Sequence, residues 1–306
     1  MAHDAAPETI MDGQPFRWSD ALASGLTDHR LRTLRTKGVV RQVLQGVYVD
    51  GSADDIQARI GAIRLVRPHD TVICRRTAAW LLGVDARGIS PQEALPVECV
   101  VPSGRTPARR RGVRCYSAPL ADDDVTVVGG VPCTTPTRTA LDLLRYLRPH
   151  LGLAVADALA HAGLLSVDDL VARAEAWQRG RNIQQARRLA ALCEPRSESF
   201  GESWLRLRIL DAGFPPPEVQ VPLGREFRLD LGYPDRRLGI EYDGLDFHSS
   251  PADRRHDAAR RSRIRDEYGW TVLAVGRGEI LGRSLDFERA MGELLGLEPT
   301  LLRRTW

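Results

Sequence analysis

Lysine is almost missing from this sequence. Of its 43 basic residues all but Lys37 are arginine, a ratio that reflects a GC-rich coding sequence rather than a need for guanidinium. Any chemistry that calls for an ammonium group therefore has one place to happen. Aromatic residues make up only 6% of the chain, which leaves few rings on which unpaired RNA bases could stack, and no RNA-binding signature is present. The five cysteines (Cys74, Cys99, Cys115, Cys133, Cys193) are scattered and form no CxxC pair. That excludes a zinc ribbon and suits reduced thiols in the cytosol. No apolar run reaches the roughly 18–20 residues that span a bilayer. The opening MAHDAAPETI has no basic stretch followed by an apolar one, so no signal peptide is expected. Internal repeats and low-complexity tracts are absent too. The expectation is a soluble cytoplasmic protein with no membrane partner.

What is present is an ordinary globular balance, 43% hydrophobic and 27% charged over 306 residues, enough for about two or three domains. The net charge of +3 argues only weakly for nucleic acid, and the local pattern says more. WSDALASG reads as a short helix closed by Gly25. TDHRLRTLRTKG reads as a second helix, with Thr27 as its N-cap and Gly38 beyond its end. Leu31 and Leu34 form the inward stripe, and Arg30, Arg32, Arg35 and Lys37 cover the rest. VVRQVLQGVYVD then alternates around Gly46 like a hairpin and adds Arg41. Helix, helix and hairpin at this spacing predict a winged helix-turn-helix, whose basic second helix enters the major groove and supplies phosphate contacts. The plainer reading is a solvated amphipathic helix beside a small hairpin.

The chain divides by composition into residues 1–52, the winged helix-turn-helix; 53–150, a mixed α/β region; 151–196, a connector of alanine- and arginine-rich helices; and 197–306. The fold class expected is α/β, α+β overall. The mixed region includes SGRTPARRRGVR, a loop with five arginines that either reaches a phosphate backbone or is merely solvated.

Residues 197–306 order as helix, three strands, helix, strand and a closing helix. Alternation along the second strand puts Phe227, Leu229 and Leu231 on one face and Arg228 and Asp230 on the other. Along the third, Leu238, Ile240 and Tyr242 oppose Glu241 and Asp243. A loop of Pro234 to Arg237 sets Asp230 across from Glu241, with Cβ atoms about 4.5–5.5 Å apart; a two-residue turn pairs Arg228 with Glu241 instead. Either way three carboxylates share a face. A divalent ion with oxygen ligands would relieve their repulsion, and a salt-bridged surface hairpin neutralised by Arg228, Arg236 and Arg237 is the alternative.

This αβββαβ order, with FRLDLGYPDRRLGIEYDGLDFH followed by YGWTVLAV, resembles the PD-(D/E)xK nuclease superfamily. Within it the segment looks more like the very-short-patch-repair-like endonucleases and the related DUF559 domains, over residues 197–296. The resemblance implies that Asp230 and Glu241 hold Mg2+ or Mn2+, that Glu202 on the preceding helix completes the shell, and that Asp243 assists. It further implies that His248 acts as general base or phosphate contact. On the next helix, Arg260 or Arg261 either clamps a phosphate through bidentate donors or belongs to a charged outer face. The superfamily signature has lysine where this sequence has Asp243, which weakens the enzymatic reading. Over residues 15–147, GLTDHRLRTLRTKGVVRQVLQGVYVD with RRTAAWLLGVD and TPTRTALDLL resembles AbiEi-type antitoxins, winged-helix DNA binders of type IV toxin–antitoxin systems. Two functions follow: a metal-dependent endonuclease acting on double-stranded DNA, or a transcriptional regulator or antitoxin whose nuclease-like domain has no catalytic role. A cognate toxin or a second copy of the chain is the expected protein partner.

Overall fold

The computed structural model describes residues 14–51, 56–86, 96–107, 109–244, 251–301, 303, 304 and 306. These residues hold twelve α-helices and three sheets, the mixed α/β class expected. The chain forms two compact units, Met1–Leu143 and Leu144–Trp306. No helix among the described residues is long and apolar enough to cross a membrane.

The first unit begins with β1 (Phe16–Arg17), α1 (Trp18–Ala23), α2 (Asp28–Thr36), β2 (Val40–Leu44) and β3 (Val47–Asp50). The local signals place these boundaries. Gly25 takes φ +96° just past α1, a left-handed turn that only glycine adopts without strain. Thr27 Oγ1 accepts from the Arg30 backbone N–H at 3.2 Å, capping α2. Beneath α2, Leu31 and Leu34 pack against Phe16, Ala21, Val40 and Tyr48, each buried leucine contributing about 1.5–3 kcal/mol. The strands form a sheet in the order β1-β3-β2.

The rest of this unit is α3 (Ile56–Val66), β4 (Val72–Ile73), α4 (Arg75–Leu81), β5 (Val97–Pro102), β6 (Arg109–Arg110), β7 (Val113–Ala118), β8 (Val125–Val128), β9 (Val131–Thr134) and α5 (Pro136–Tyr146), which runs across the unit boundary. Its sheet has the order β6-β7-β5-β4-β9-β8. The five-arginine segment, expected as a loop, is partly a hairpin: Arg109 pairs with Arg114 and Arg110 with Val113 across a turn of Arg111 and Gly112. Arg138, buried, is held by Asp124 at 2.5 Å and Asp142 at 2.9 Å.

The second unit opens with α6 (Pro149–His161), α7 (Val167–Ala176) and α8 (Ile183–Ala190), the helices expected of the connector. There follow α9 (Phe200–Asp211), β10 (Glu218–Leu223), β11 (Phe227–Tyr233), β12 (Leu238–Asp243), α10 (Pro251–Tyr268) and β13 (Thr271–Gly276). The chain then adds α11 (Arg277–Leu281), which the sequence pattern did not suggest, and α12 (Asp286–Leu295). The four strands lie in sequence order; β12 and β13 are parallel, so α10 is the crossover between them. Along α9, Arg206 meets Asp157 of α6 at 2.7 Å, and Arg208 meets Glu288 of α12 at 2.7 Å. Gly201, in the first turn of α9, faces the ring of Tyr242 so closely that a Cβ there would overlap the ring.

One sequence expectation fails in this sheet. Phe227, Leu229 and Leu231 do not share a face. Leu231 packs with Val219, Ile240, Trp204 and Leu205 on the α9 side. Leu229 packs with Val221, Leu223, Ile264 and Trp270, and Phe227 joins it there, on the α10 side. The reason is a backbone switch: Gln220, in the middle of β10, has φ +59°, and strict alternation is lost on either side of it.

Candidate nucleic-acid interface and acidic cluster

On α2 and its C-cap the side chains of Arg30, Arg32, Arg35 and Lys37 are all exposed, while Arg41 on β2 is half-buried. Arg32 is drawn back to Asp28 at 2.7 Å, an exposed pair one helical turn apart. Such a pair is worth little and opens readily for a phosphate. Asp28 also accepts from Trp18 Nε1 at 3.0 Å, which ties α1 to the start of α2. The turn between β2 and β3 lies against the turn of the arginine hairpin, since a Cβ added to Gly112 would stand 3.1 Å from the Gln45 carbonyl oxygen. The two turns, about seventy residues apart in sequence, are thus neighbours, and Arg109, Arg111 and Arg114 of the second hairpin are exposed. Local pattern found each segment but had no means of joining them.

In the second unit the hairpin takes the longer loop. Tyr233 pairs with Leu238 and Leu231 with Ile240, across Pro234 to Arg237, with Arg237 at φ +47°. That is the register which brings Asp230 to the level of Glu241. The ladder ends there: Asp230 Oδ2 accepts from the Tyr242 N–H at 2.8 Å, a side chain standing in for the next backbone rung. Burial raises the Asp230 carboxyl above its usual range, the Tyr242 N–H pulls it down, and the neighbouring Glu241 charge raises it again. Burial likewise raises Glu202, with Asp230 adding to the effect. Asp230 is thus close enough to both Glu202 and Glu241 to feel or exert their charge.

Both oxygens of Glu241 and one each of Glu202 and Asp230 already have partners, however. Arg260 Nη1 of α10 donates to Glu241 Oε1 at 2.7 Å and Oε2 at 2.8 Å, and its Nη2 donates to the Arg228 carbonyl at 3.1 Å. Glu202 Oε2 accepts from the Glu198 N–H at 2.9 Å and from Gln220 Nε2 at 2.8 Å. Among the described residues no three His, Cys, Asp or Glu side chains are placed to hold a metal ion. In this arrangement the cluster does not fit Mg2+ or Mn2+: a guanidinium already supplies the positive charge. Arg260, read from sequence as a phosphate clamp, is turned inward; Arg261 is half-buried on the same helix, and Asp243 half-buried at the end of β12. His248 lies outside the described residues. Sequence reasoning missed Gln220, whose strained backbone and contact with Glu202 leave no local signature.

Comparison with known proteins places residues 71–192 in the AbiEi antitoxin C-terminal domain family. Two relatives from strains of Mycobacterium tuberculosis, Uncharacterized protein MT2308 and Uncharacterized protein Rv2248, are each 32% identical over 247 residues, covering 79% of this chain and 87% of theirs. Among solved structures, that of RV2827C protein from Mycobacterium tuberculosis aligns over 60% of this chain and 73% of that one, at 16% identity and a TM-score of 0.31, too remote to argue from. None of these matches extends the DUF559 resemblance. The chain belongs to the family of the two mycobacterial relatives and carries, over residues 71–192, an AbiEi antitoxin C-terminal domain.

Proposed function

We propose that this protein is a DNA-binding regulator of the toxin–antitoxin type. In this reading α2 enters the major groove of double-stranded DNA as the second helix of a winged helix-turn-helix, hairpin β2–β3 lies beside it as the wing, and the partner is a cognate toxin system. The observation that supports it most is the two-sidedness of α2: Leu31 and Leu34 are buried beneath, and Arg30, Arg32, Arg35 and Lys37 are exposed above. The AbiEi domain in residues 71–192 points the same way. Phosphate contacts position such a helix and make its affinity salt-dependent. The test is a gel-shift titration on a duplex from upstream of the protein's own reading frame and on a scrambled duplex, across roughly 50–200 mM salt. The expected result is binding that weakens in an Arg30→Ala/Arg35→Ala variant, with a salt slope shallower by about 0.9 for each phosphate that the variant no longer neutralises. Equal binding by variant and parent, or none by either, rules the reading out.

A second reading, metal-dependent phosphodiester hydrolysis by the C-terminal unit, has one observation in its favour: Asp230 lies within charge range of Glu202 and Glu241. The ion pair of Glu241 with Arg260 stands against it. Incubating the protein with supercoiled plasmid and Mg2+ or Mn2+ decides. Nicking that EDTA and Asp230→Ala/Glu241→Ala both abolish revives the enzyme, and intact plasmid leaves the regulator.

A further inference from the structure

A cavity of about 450 Å3 opens in the first unit beside Trp18, within the size range of small-molecule sites. Its chemistry is specific. Arg17 and Arg111 stand in the wall with Gln42, Gln45, Trp18 and Tyr48, and no acidic side chain lines it. Arg17 donates through Nη2 to the Leu65 carbonyl, which fixes the guanidinium, yet its Nε is buried with no acceptor. That Nε is out of a ligand's reach, and it is the two guanidinium groups in the wall that offer charge-assisted donors to an oxyanion. Trp18 is held by its bond to Asp28, and its ring lies 5.0 Å from that of Tyr48, tilted by 53°. The result is a rigid aromatic wall of the kind on which a base stacks. The side-chain amides of Gln42 and Gln45 each offer a donor and an acceptor, the combination that reads the edge of a base. Arg35 of α2 adds positive potential, since its charge acts on the Tyr48 hydroxyl.

We propose that this cavity binds a nucleoside phosphate, the base against Trp18 and Tyr48 and the phosphate between Arg17 and Arg111. The same chemistry comes from a free nucleotide or from a nucleotide of bound DNA. Cationic walls alone would suit any anion; the aromatic and amide groups narrow the ligand to one carrying a base. The site goes beyond the groove contacts of α2, because its walls come from Arg17, Trp18, Gln42, Gln45, Tyr48 and Arg111 and not from that helix.

The experiment is isothermal titration calorimetry of the full chain with the four deoxynucleoside monophosphates, with deoxyadenosine, with inorganic phosphate and with a random duplex. The Arg111→Ala and Gln42→Ala variants are run beside it, and their melting temperatures report whether they fold. Arg111 is exposed, so its removal leaves the fold intact. Binding of at least one monophosphate, weakened roughly tenfold or more by Arg111→Ala, with deoxyadenosine and phosphate each weaker by as much, establishes the site with a free nucleotide as its source. Duplex binding weakened by both variants, without mononucleotide binding, establishes it with DNA as the source. No binding in any arm, binding that neither variant alters, or phosphate alone binding as well as the monophosphates, overturns the proposal.

Discussion

Helices α2 and α9 carry nearly the same local pattern, arginines interleaved with leucines in RLRTLR and LRLRIL, and treat it in opposite ways. On α2 the leucines go in and the arginines stay in water. On α9 the leucines and the arginines both go in, Arg206 onto Asp157 and Arg208 onto Glu288, which is itself fully buried. What separates them is not helix propensity or period but the supply of acceptors. Arg208 has two carboxylate oxygens of Glu288 and the carbonyls of Glu279, Ile280 and Ser284 within reach, all contributed by chain about seventy to eighty residues away. An arginine is a surface residue until some distant segment brings it a full set of oxygens.

The most severe trial of this contrast is Arg208→Ala, which strands Glu288 in the interior without a counter-charge. It should cost about 3–5 kcal/mol, read as a lower urea midpoint; a change below about 1 kcal/mol would mean that the pair is not what fixes α9 to α12.

A second test concerns a charge that the same interior refuses. His150 on α6 is 2% exposed, stacked on Trp306 and edge-on to Trp204, and neither of its ring nitrogens has a partner among the described residues. Burial, reinforced by Arg148 and Arg304, lowers its pKa to about 4. The neutral form is therefore the folded form, and the unfolded chain takes up the proton first. Stability should be unaffected above the ordinary value of about 6.5 and fall as pH drops from there toward 4, by up to about 3 kcal/mol. A His150→Phe variant should lose that dependence, so the difference between the two denaturation curves against pH isolates it. Parallel curves would place the proton elsewhere.

The smallest effects compare the half-exposed and the exposed arginine. Arg260→Ala, which uncovers Glu241, should destabilise by about 1–2 kcal/mol. In that variant alone, added Mn2+ should raise the melting temperature, because the acids have lost their resident cation. Arg32→Ala should change stability by no more than about 0.5 kcal/mol while weakening DNA binding. Equal losses of stability from both would mean that burial does not separate the two kinds of arginine.

The same logic governs how much was legible in the sequence. Thr27, Gly25 and Gly38 announced the ends of α1 and α2, because caps and turns are local chemistry, while the hairpin sequence allowed two registers of β11 on β12 and the structure takes the one with the loop from Pro234 to Arg237. The approach of Asp230 to Glu241 was half legible, as one of two registers; Glu202 was suggested only by the nuclease resemblance. The neutralisation of Glu241 was not legible: Arg260 comes from the crossover helix, and nothing in the spacing of RRHDAARRSRI says which arginine turns inward. Nor was the change of face between Leu229 and Leu231, which depends on the left-handed backbone at Gln220 in the neighbouring strand. The cavity beside Trp18 is assembled from four separated segments, each ordinary by itself.

Gly201 and Tyr242 form a single packing unit. The first turn of α9 rests on the tyrosine ring with no room for a methyl group, and Glu202 follows directly, already held by Glu198 and Gln220. Neither residue is at liberty to change size alone. Among relatives, any side chain larger than hydrogen at position 201 should appear only where position 242 has lost its ring, so the two columns of a family alignment should vary together or not at all.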